Sequence, residues 1–190
     1  MLDFIGEFTI LDLVVLVSLA GGVLLGFQQG ALRYILNCIV VLVAFIVASQ
    51  LKGPIANSVS GVWHAASPEQ QELWIYIVLF AAGVIGGFLL VRTFYRQTRL
   101  PLVRQVDEIL GAVLGVLWVA LLYSFSLIVL DSFFQPATEA SAASASFLGA
   151  LYDAMNQSVI IGWFRDYLIP VIGFVVRPFV PSEIAQFLEF

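Results

Sequence analysis

Four stretches without a single Asp, Glu, Lys, Arg or His dominate this chain: Leu13–Leu32, Tyr34–Leu51, Leu73–Val91 and Ile109–Leu130. Each runs for 18 to 22 residues. At about 1.5 Å of rise per residue, such a helix matches a hydrocarbon core of about 30 Å. A backbone in lipid must satisfy its own hydrogen bonds, so each stretch is predicted to be a transmembrane helix. The first two are nearly continuous, interrupted only by Gly26-Phe-Gln-Gln-Gly30 and Arg33. Their combined length is close to two crossings, which predicts a tight helical hairpin turning near Gln28–Arg33, where glycine permits the sharp bend.

The last 60 residues follow a different pattern. Gln135–Ser146 is rich in Ala and Ser and contains Pro136, and reads as a polar connection or weak helix. From Phe147 onward, Leu151, Met155 and Val159 recur every four positions with Asp153, Asn156 and Gln157 between them. That period predicts an amphipathic helix lying on the membrane or on the bundle. A fifth span over Met155–Val176 would carry Arg165 and Asp166 to mid-bilayer. Adjacent helical residues do not face one another, so the two could not easily pair. Each would cost about 3 kcal/mol on insertion scales, and Pro170 would kink the helix. The predicted fold is therefore an all-α integral membrane protein with four transmembrane helices as two hairpins, plus a C-terminal amphipathic, interfacial helical segment. Residues 1–131 form the bundle, and 132–190 an extracytoplasmic linker and tail.

Basic residues set the orientation. Arg92, Arg96, Arg99 and Arg104 lie between the third and fourth stretches, and Arg33 between the first and second. The positive-inside rule places both turns in the cytoplasm and both termini outside, together with the Lys52–Glu72 segment that holds His64. Trp63 and Trp74 flank that outer segment, and Tyr34 borders the inner turn, as interfacial aromatics do. The N-terminus carries Asp3, Glu7 and Asp12 but no Lys or Arg. It lacks the basic start of a cleavable signal, so the first stretch is expected to be retained as a span.

Composition agrees with a lipid environment. The chain has 190 residues, 61% hydrophobic and 11% charged, where a soluble domain has about 25% charge. Its net charge of −5 is spread without an acidic or basic run, which gives no footprint for nucleic acid. The single cysteine, Cys38, leaves no internal disulfide and no multi-cysteine metal site. It reads as a small buried hydrophobe.

Three of the four stretches carry glycines at helical spacing: Gly22, Gly26 and Gly30; Gly83 and Gly87; Gly111 and Gly115. Four residues apart places each set on one helix face, where a neighbouring backbone can approach closely. Asp107 and Glu108 precede the fourth stretch and suit a helix N-terminus. An alternative is a latch between Asp107 and an arginine of its own turn or Arg33 of the other. Catalytic chemistry has no constellation to stand on. His64 is the only histidine, and Gly83-Val-Ile-Gly86-Gly87 lies within an apolar run rather than after a strand. No enzymatic activity, cofactor or metal is expected. The stretches hold no ionisable residue of the kind coupled transport uses. Partners are expected to be the lipid bilayer and either further copies of the chain or a membrane or extracytoplasmic protein.

Three segments resemble the colicin V production protein family, small membrane proteins of the bacterial inner membrane. Leu11-Asp12 leads through an apolar stretch to Gly26-Phe27 and Gly30-Ala-Leu-Arg33. This is similar to the family's early Asp and its basic, glycine-containing turn. Val106-Asp107-Glu-Ile-Leu-Gly111-Ala-Val-Leu-Gly115 is similar to the family's D-x-x-L-G-x-x-x-G stretch. Ser158-Val-Ile resembles a serine-containing segment after the last span. Leu25 stands where the family has a basic residue, and Gln28-Gln29 replaces a charge, so any partner binding through positive charge at that turn is weakened here. The resemblance implies a role in production or export of a peptide toxin and in envelope homeostasis. It marks Gly26, Gly30, Arg33, Asp107, Gly111, Gly115 and Ser158 as candidate positions. Rival readings are a small homo-oligomeric channel and a membrane anchor for a partner protein.

Overall fold

The computed structural model describes residues 8–59, 68–94, 104–134, 147–181 and 184. The expectations for His64, Trp63, Arg96, Arg99 and the 135–146 connection lie outside those residues. All described secondary structure is helical: α1 Ile10–Gln29, α2 Ala31–Val59, α3 Pro68–Phe94, α4 Arg104–Phe134 and α5 Phe147–Gln157. A tail helix follows, with α6 Val159–Trp163, a π-helical turn Phe164–Leu168, α7 Ile169–Val176 and a 3₁₀ turn Arg177–Phe179.

The long helices extend past the uncharged stretches at several ends. α2 continues through Pro54 to Val59, α3 begins at Pro68, and α4 begins at Arg104. Charge ends an apolar run without ending a helix, because a charged side chain near a helix end reaches the interface. Lys52 is accommodated differently, buried against neighbouring helices. Its ammonium lies 3.5 Å from Glu72 and 5.3 Å from the centre of the Phe133 ring, so the helix passes it unbroken.

α1 packs on α4, α4 on α2 and α2 on α3, so the four helices form a row in the order α1, α4, α2, α3. Glycine sets the closest approach. A Cβ on Gly22 would lie 2.6 Å from the Gly115 carbonyl oxygen, and one on Gly26 would meet the Gly111 carbonyl oxygen. Gly30 follows opposite Asp107, so α1 and α4 run antiparallel in steps of four. On α3, a Cβ on Gly83 would lie 2.9 Å from Ala44, and one on Gly87 would strike Val40. The row is filled by an aromatic centre: Phe45 stacks on Phe125 at 4.2 Å between centroids and takes Tyr76 and Phe80 edge-on.

Among the described residues, five helical segments are long and apolar enough to cross a membrane: α1, α2, α3, α4 and the tail helix Val159–Phe179. Four spans were expected, and by length and composition the tail helix qualifies as a fifth. Arg165 is not stranded beside Asp166, because its guanidinium meets Asp131 of α4 at 2.8 and 3.0 Å. The partner comes from another helix, which spacing along one helix could not reveal.

Candidate functional site

Three buried carboxylates, Asp107 at one end of the bundle and Asp12 and Asp131 at the other, organise its two ends, while Asn37 and Ser124 are buried between them. At one end lies the α1–α2 turn. Gly30 adopts φ +83 there, a left-handed conformation that glycine accepts freely. The Asp107 carboxylate packs on Gly30 and accepts a 2.9 Å hydrogen bond from the Ala31 amide, the first residue of α2. Asp107 sits in the first turn of α4. One carboxylate therefore faces the N-termini of two helices, where the macrodipoles favour negative charge. Among the described residues this turn shows a carboxylate-to-backbone contact, and Arg33 Nη1 donates to Gln29 Oε1 at 3.4 Å.

The other end repeats the device. Thr9 caps α1 in a reciprocal capping box. The Asp12 amide donates to Thr9 Oγ1 at 3.3 Å, and Asp12 Oδ2 accepts from the Thr9 amide and hydroxyl, both at 2.8 Å. Its second oxygen, Oδ1, accepts from Ser158 Oγ at 2.6 Å and from the Ile160 amide at 3.0 Å. Ser158 in turn caps α6, accepting from the Ile161 amide at 3.2 Å. Asp12 is fully buried and makes four hydrogen bonds through two oxygens. Again one carboxylate serves two helix N-termini, those of α1 and the tail.

A third carboxylate, Asp131, lies near the C-terminus of α4, where the macrodipole disfavours it. Arg165 of the tail supplies the compensating charge, and Tyr152 of α5 donates its hydroxyl to Asp131 Oδ1 at 2.9 Å. The cluster joins α4, α5 and the tail. Burial pushes the Tyr152 phenol above its usual range.

These contacts place the tail. Its start touches Asp12 of α1, its π-helical turn touches Asp131 of α4, and the Phe179 carbonyl accepts from Gln50 of α2 at 2.7 Å. By helical rise, Asp12 and Gln50 both lie roughly 27–30 Å from the Gly30 turn. All three anchors are at the same end of the row, and the tail meets α1, α4 and α2 in the row's own order. Ile161, Ile169, Ile172, Val176 and Val180 face inward, whereas Trp163, Tyr167, Val171 and Phe174 are exposed, the last at 88%.

Of the positions marked by the sequence, Gly26, Gly30, Asp107 and Gly111 come together at the Gly30 end. Gly115 lies further along α4 against Gly22, Arg33 opens the first turn of α2, and Ser158 is at the opposite end. Sequence reasoning left Asp12, Asp131, Tyr152 and Arg165 out of the site. The pattern Thr9-x-x-Asp12 was a readable capping box, and Asp131 closes the longest uncharged stretch. Nothing local pointed to Tyr152. Among the described residues, no three His, Cys, Asp or Glu side chains converge as metal ligands.

No curated protein and no solved structure gives a significant match to the chain. The family model described as Colicin V production protein matches residues 11–168, a range that begins beside Asp12 and contains the Gly30 turn, Asp107 and Ser158. With its apolar helices and this match over most of its length, the chain belongs to the colicin V production protein family.

Proposed function

We propose that this chain is a non-enzymatic scaffold of the bacterial inner membrane that serves toxin production or export and envelope homeostasis. In this reading α1 to α4 cross the bilayer and the tail lies along its extracytoplasmic surface, with both termini on that side. The observation that carries it is the anchoring of the tail at start, middle and end to one end of the row. A helix crossing the membrane beside the bundle would part company with that end. The exposed Trp163 and Tyr167 suit the interface between lipid and water. Arg33 and Arg92 lie at the Gly30 end, which the positive-inside rule assigns to the cytoplasm.

Cysteine labelling in intact cells tests the topology in a Cys38→Ala background. Asp166→Cys and Arg177→Cys are expected to react from the same side as Asn57→Cys, and Arg92→Cys from the other. Reaction of Arg177→Cys from the Arg92 side would make the tail a fifth span and end this reading. Cross-linking in native membranes tests the scaffold. A partner captured by the full chain and lost on deleting Phe147–Phe190 is expected. Capture of the chain alone, with ion flux in liposomes, would establish a channel instead.

A further inference from the structure

The tail turns one side to the bundle and leaves the other bare. Its anchors on α1, α4 and α2 all lie at one end of the row, so the tail lies flat across that end rather than upright beside it. The bare side is a stripe of Trp163, Tyr167, Val171, Phe174, Val175 and Phe179, all exposed. At roughly 200 Å² per aromatic side chain, the stripe presents on the order of 600 Å², about what one partner contributes at the lower end of specific protein interfaces.

The stripe has nearly the same pattern read in either direction. Val171 is its midpoint, with the aromatic Trp163 eight positions before it and the aromatic Phe179 eight positions after. Asp166 and Arg177, both exposed and opposite in charge, stand five positions before Val171 and six after. Such a face is complementary to itself reversed. In a two-fold interface one patch meets its own copy, so that residue i contacts j and j contacts i. Two chains inserted in one membrane share an orientation, so their two-fold axis runs along the membrane normal. About that axis, a helix lying flat meets its copy antiparallel. Trp163 then opposes Phe179 of the second copy, Val171 opposes itself on the axis, and Asp166 faces Arg177 of the second copy at two symmetric places. We propose that the tail is a homodimer interface, formed by antiparallel pairing of this stripe with that of a second copy of the chain. A lipid surface is a poorer match, because helices that bind a bilayer through one face are rich in Lys and Arg on the other. Here Arg165 is paired with Asp131, and the charges of Asp166 and Arg177 cancel. The anchors also hold the stripe in place before the second copy arrives, which lowers the ordering cost of association. The inference rests on the flat tail of the proposed scaffold and identifies what its bare side binds.

The test uses the full chain with Cys38→Ala in vesicles of phosphatidylethanolamine and phosphatidylglycerol, under oxidation that forms disulfides. Val171→Cys is expected to cross-link to its own copy. Trp163→Cys mixed with Phe179→Cys is expected to cross-link as a heterodimer, while neither does so alone. In the antiparallel pair, the two copies of position 163 stand roughly 24 Å apart along the helix. Efficient cross-linking of Trp163→Cys alone and of Phe179→Cys alone would mean parallel, upright tails, and would overturn both this inference and the flat tail. No cross-link at any of the three positions, with the tail still protected from hydrogen exchange, would overturn the dimer alone and leave the stripe to lipid. The charges give a second readout. Measured by energy transfer between labelled copies, Asp166→Arg and Arg177→Asp are each expected to weaken pairing several-fold, and the double variant is expected to restore it. A double variant no better than either single one would overturn the proposal.

Discussion

Ser158 Oγ lies 2.6 Å from Asp12 Oδ1, which bonds the first residue of the tail to the first turn of the chain's first helix. Asp107 and Ala31 stand in the same relationship at the opposite end. In each case an acidic residue in one helix's first turn accepts a hydrogen bond from a backbone amide in the first turn of another, Ile160 for Asp12 and Ala31 for Asp107. Two carboxylates thus serve the N-termini of four helices, where unpaired N–H groups would otherwise face lipid or apolar protein.

Removing the first of these carboxylates is expected to release the tail. Asp12→Ala leaves the Ser158 hydroxyl and the Thr9 and Ile160 amides without their acceptor, at about 1–3 kcal/mol for each buried group. Ser158→Ala removes one donor and leaves Asp12 three others. Amide hydrogen exchange over 158–176 should speed up by orders of magnitude in Asp12→Ala and by less than tenfold in Ser158→Ala. Equal effects would show that the carboxylate is not the hub.

The neighbours Gly21 and Gly22 should respond oppositely to alanine. A Cβ on Gly22 meets the Gly115 carbonyl oxygen at 2.6 Å and Val119 at 2.9 Å, whereas one on Gly21 meets nothing within 4 Å. Backbone cannot swing aside as a side chain can, so Gly22→Ala is expected to cost about 1–3 kcal/mol through forced separation of α1 and α4. Gly21→Ala should be neutral or gain up to about 1 kcal/mol from helix propensity. Thermal unfolding of the two variants in the same detergent compares them directly.

Asp131 and Arg165 should prove strongly coupled. The Asp131 side chain is 8% exposed and that of Arg165 is 30% exposed, so the arginine can turn towards solvent when its partner goes, but the carboxylate cannot. Arg165→Gln is therefore expected to be more damaging than Asp131→Asn. The double variant should recover much of the loss, because breaking a buried pair costs more than replacing it. Additive losses in a double-mutant cycle would contradict this.

Tyr152 gives the tail's attachment an alkaline limit. Its phenol titrates above the usual 10.0, first because it is buried and also because it faces Asp131. The folded protein therefore holds this proton more tightly than the unfolded chain does. Its contribution is complete below pH 10 and falls as pH rises through the raised value. Proteolytic release of the tail in alkali should show this loss in the wild type, and Tyr152→Phe should remove that component of the pH dependence.

The helical architecture was legible because it rests on local signals: uncharged stretches of membrane length, glycines four apart, and an arginine-bearing turn. Gly30 and Asp107 were likewise visible, each in a short recognisable pattern. The pairings were not. Glycine spacing marks a face without saying which helix meets it, and Arg165 looked costly only because its counter-charge lies 34 positions away. The tail's course depends on three contacts, two of them spanning more than a hundred positions. No periodicity encodes such distances.

The span of 146 positions between Asp12 and Ser158 also sets a clock on biosynthesis. A ribosome adding roughly 5–20 residues per second delivers Ser158 about 7–30 s after Asp12. Throughout that interval the α1 carboxylate holds only its own cap, and the Asp107 contact with Ala31 becomes able to form before the interval ends. The chain thus closes from its hairpin turns first and from its beginning last. A protein interrupted before Ser158 carries an incompletely bonded carboxylate on α1, a chemical mark by which an unfinished copy differs from a finished one.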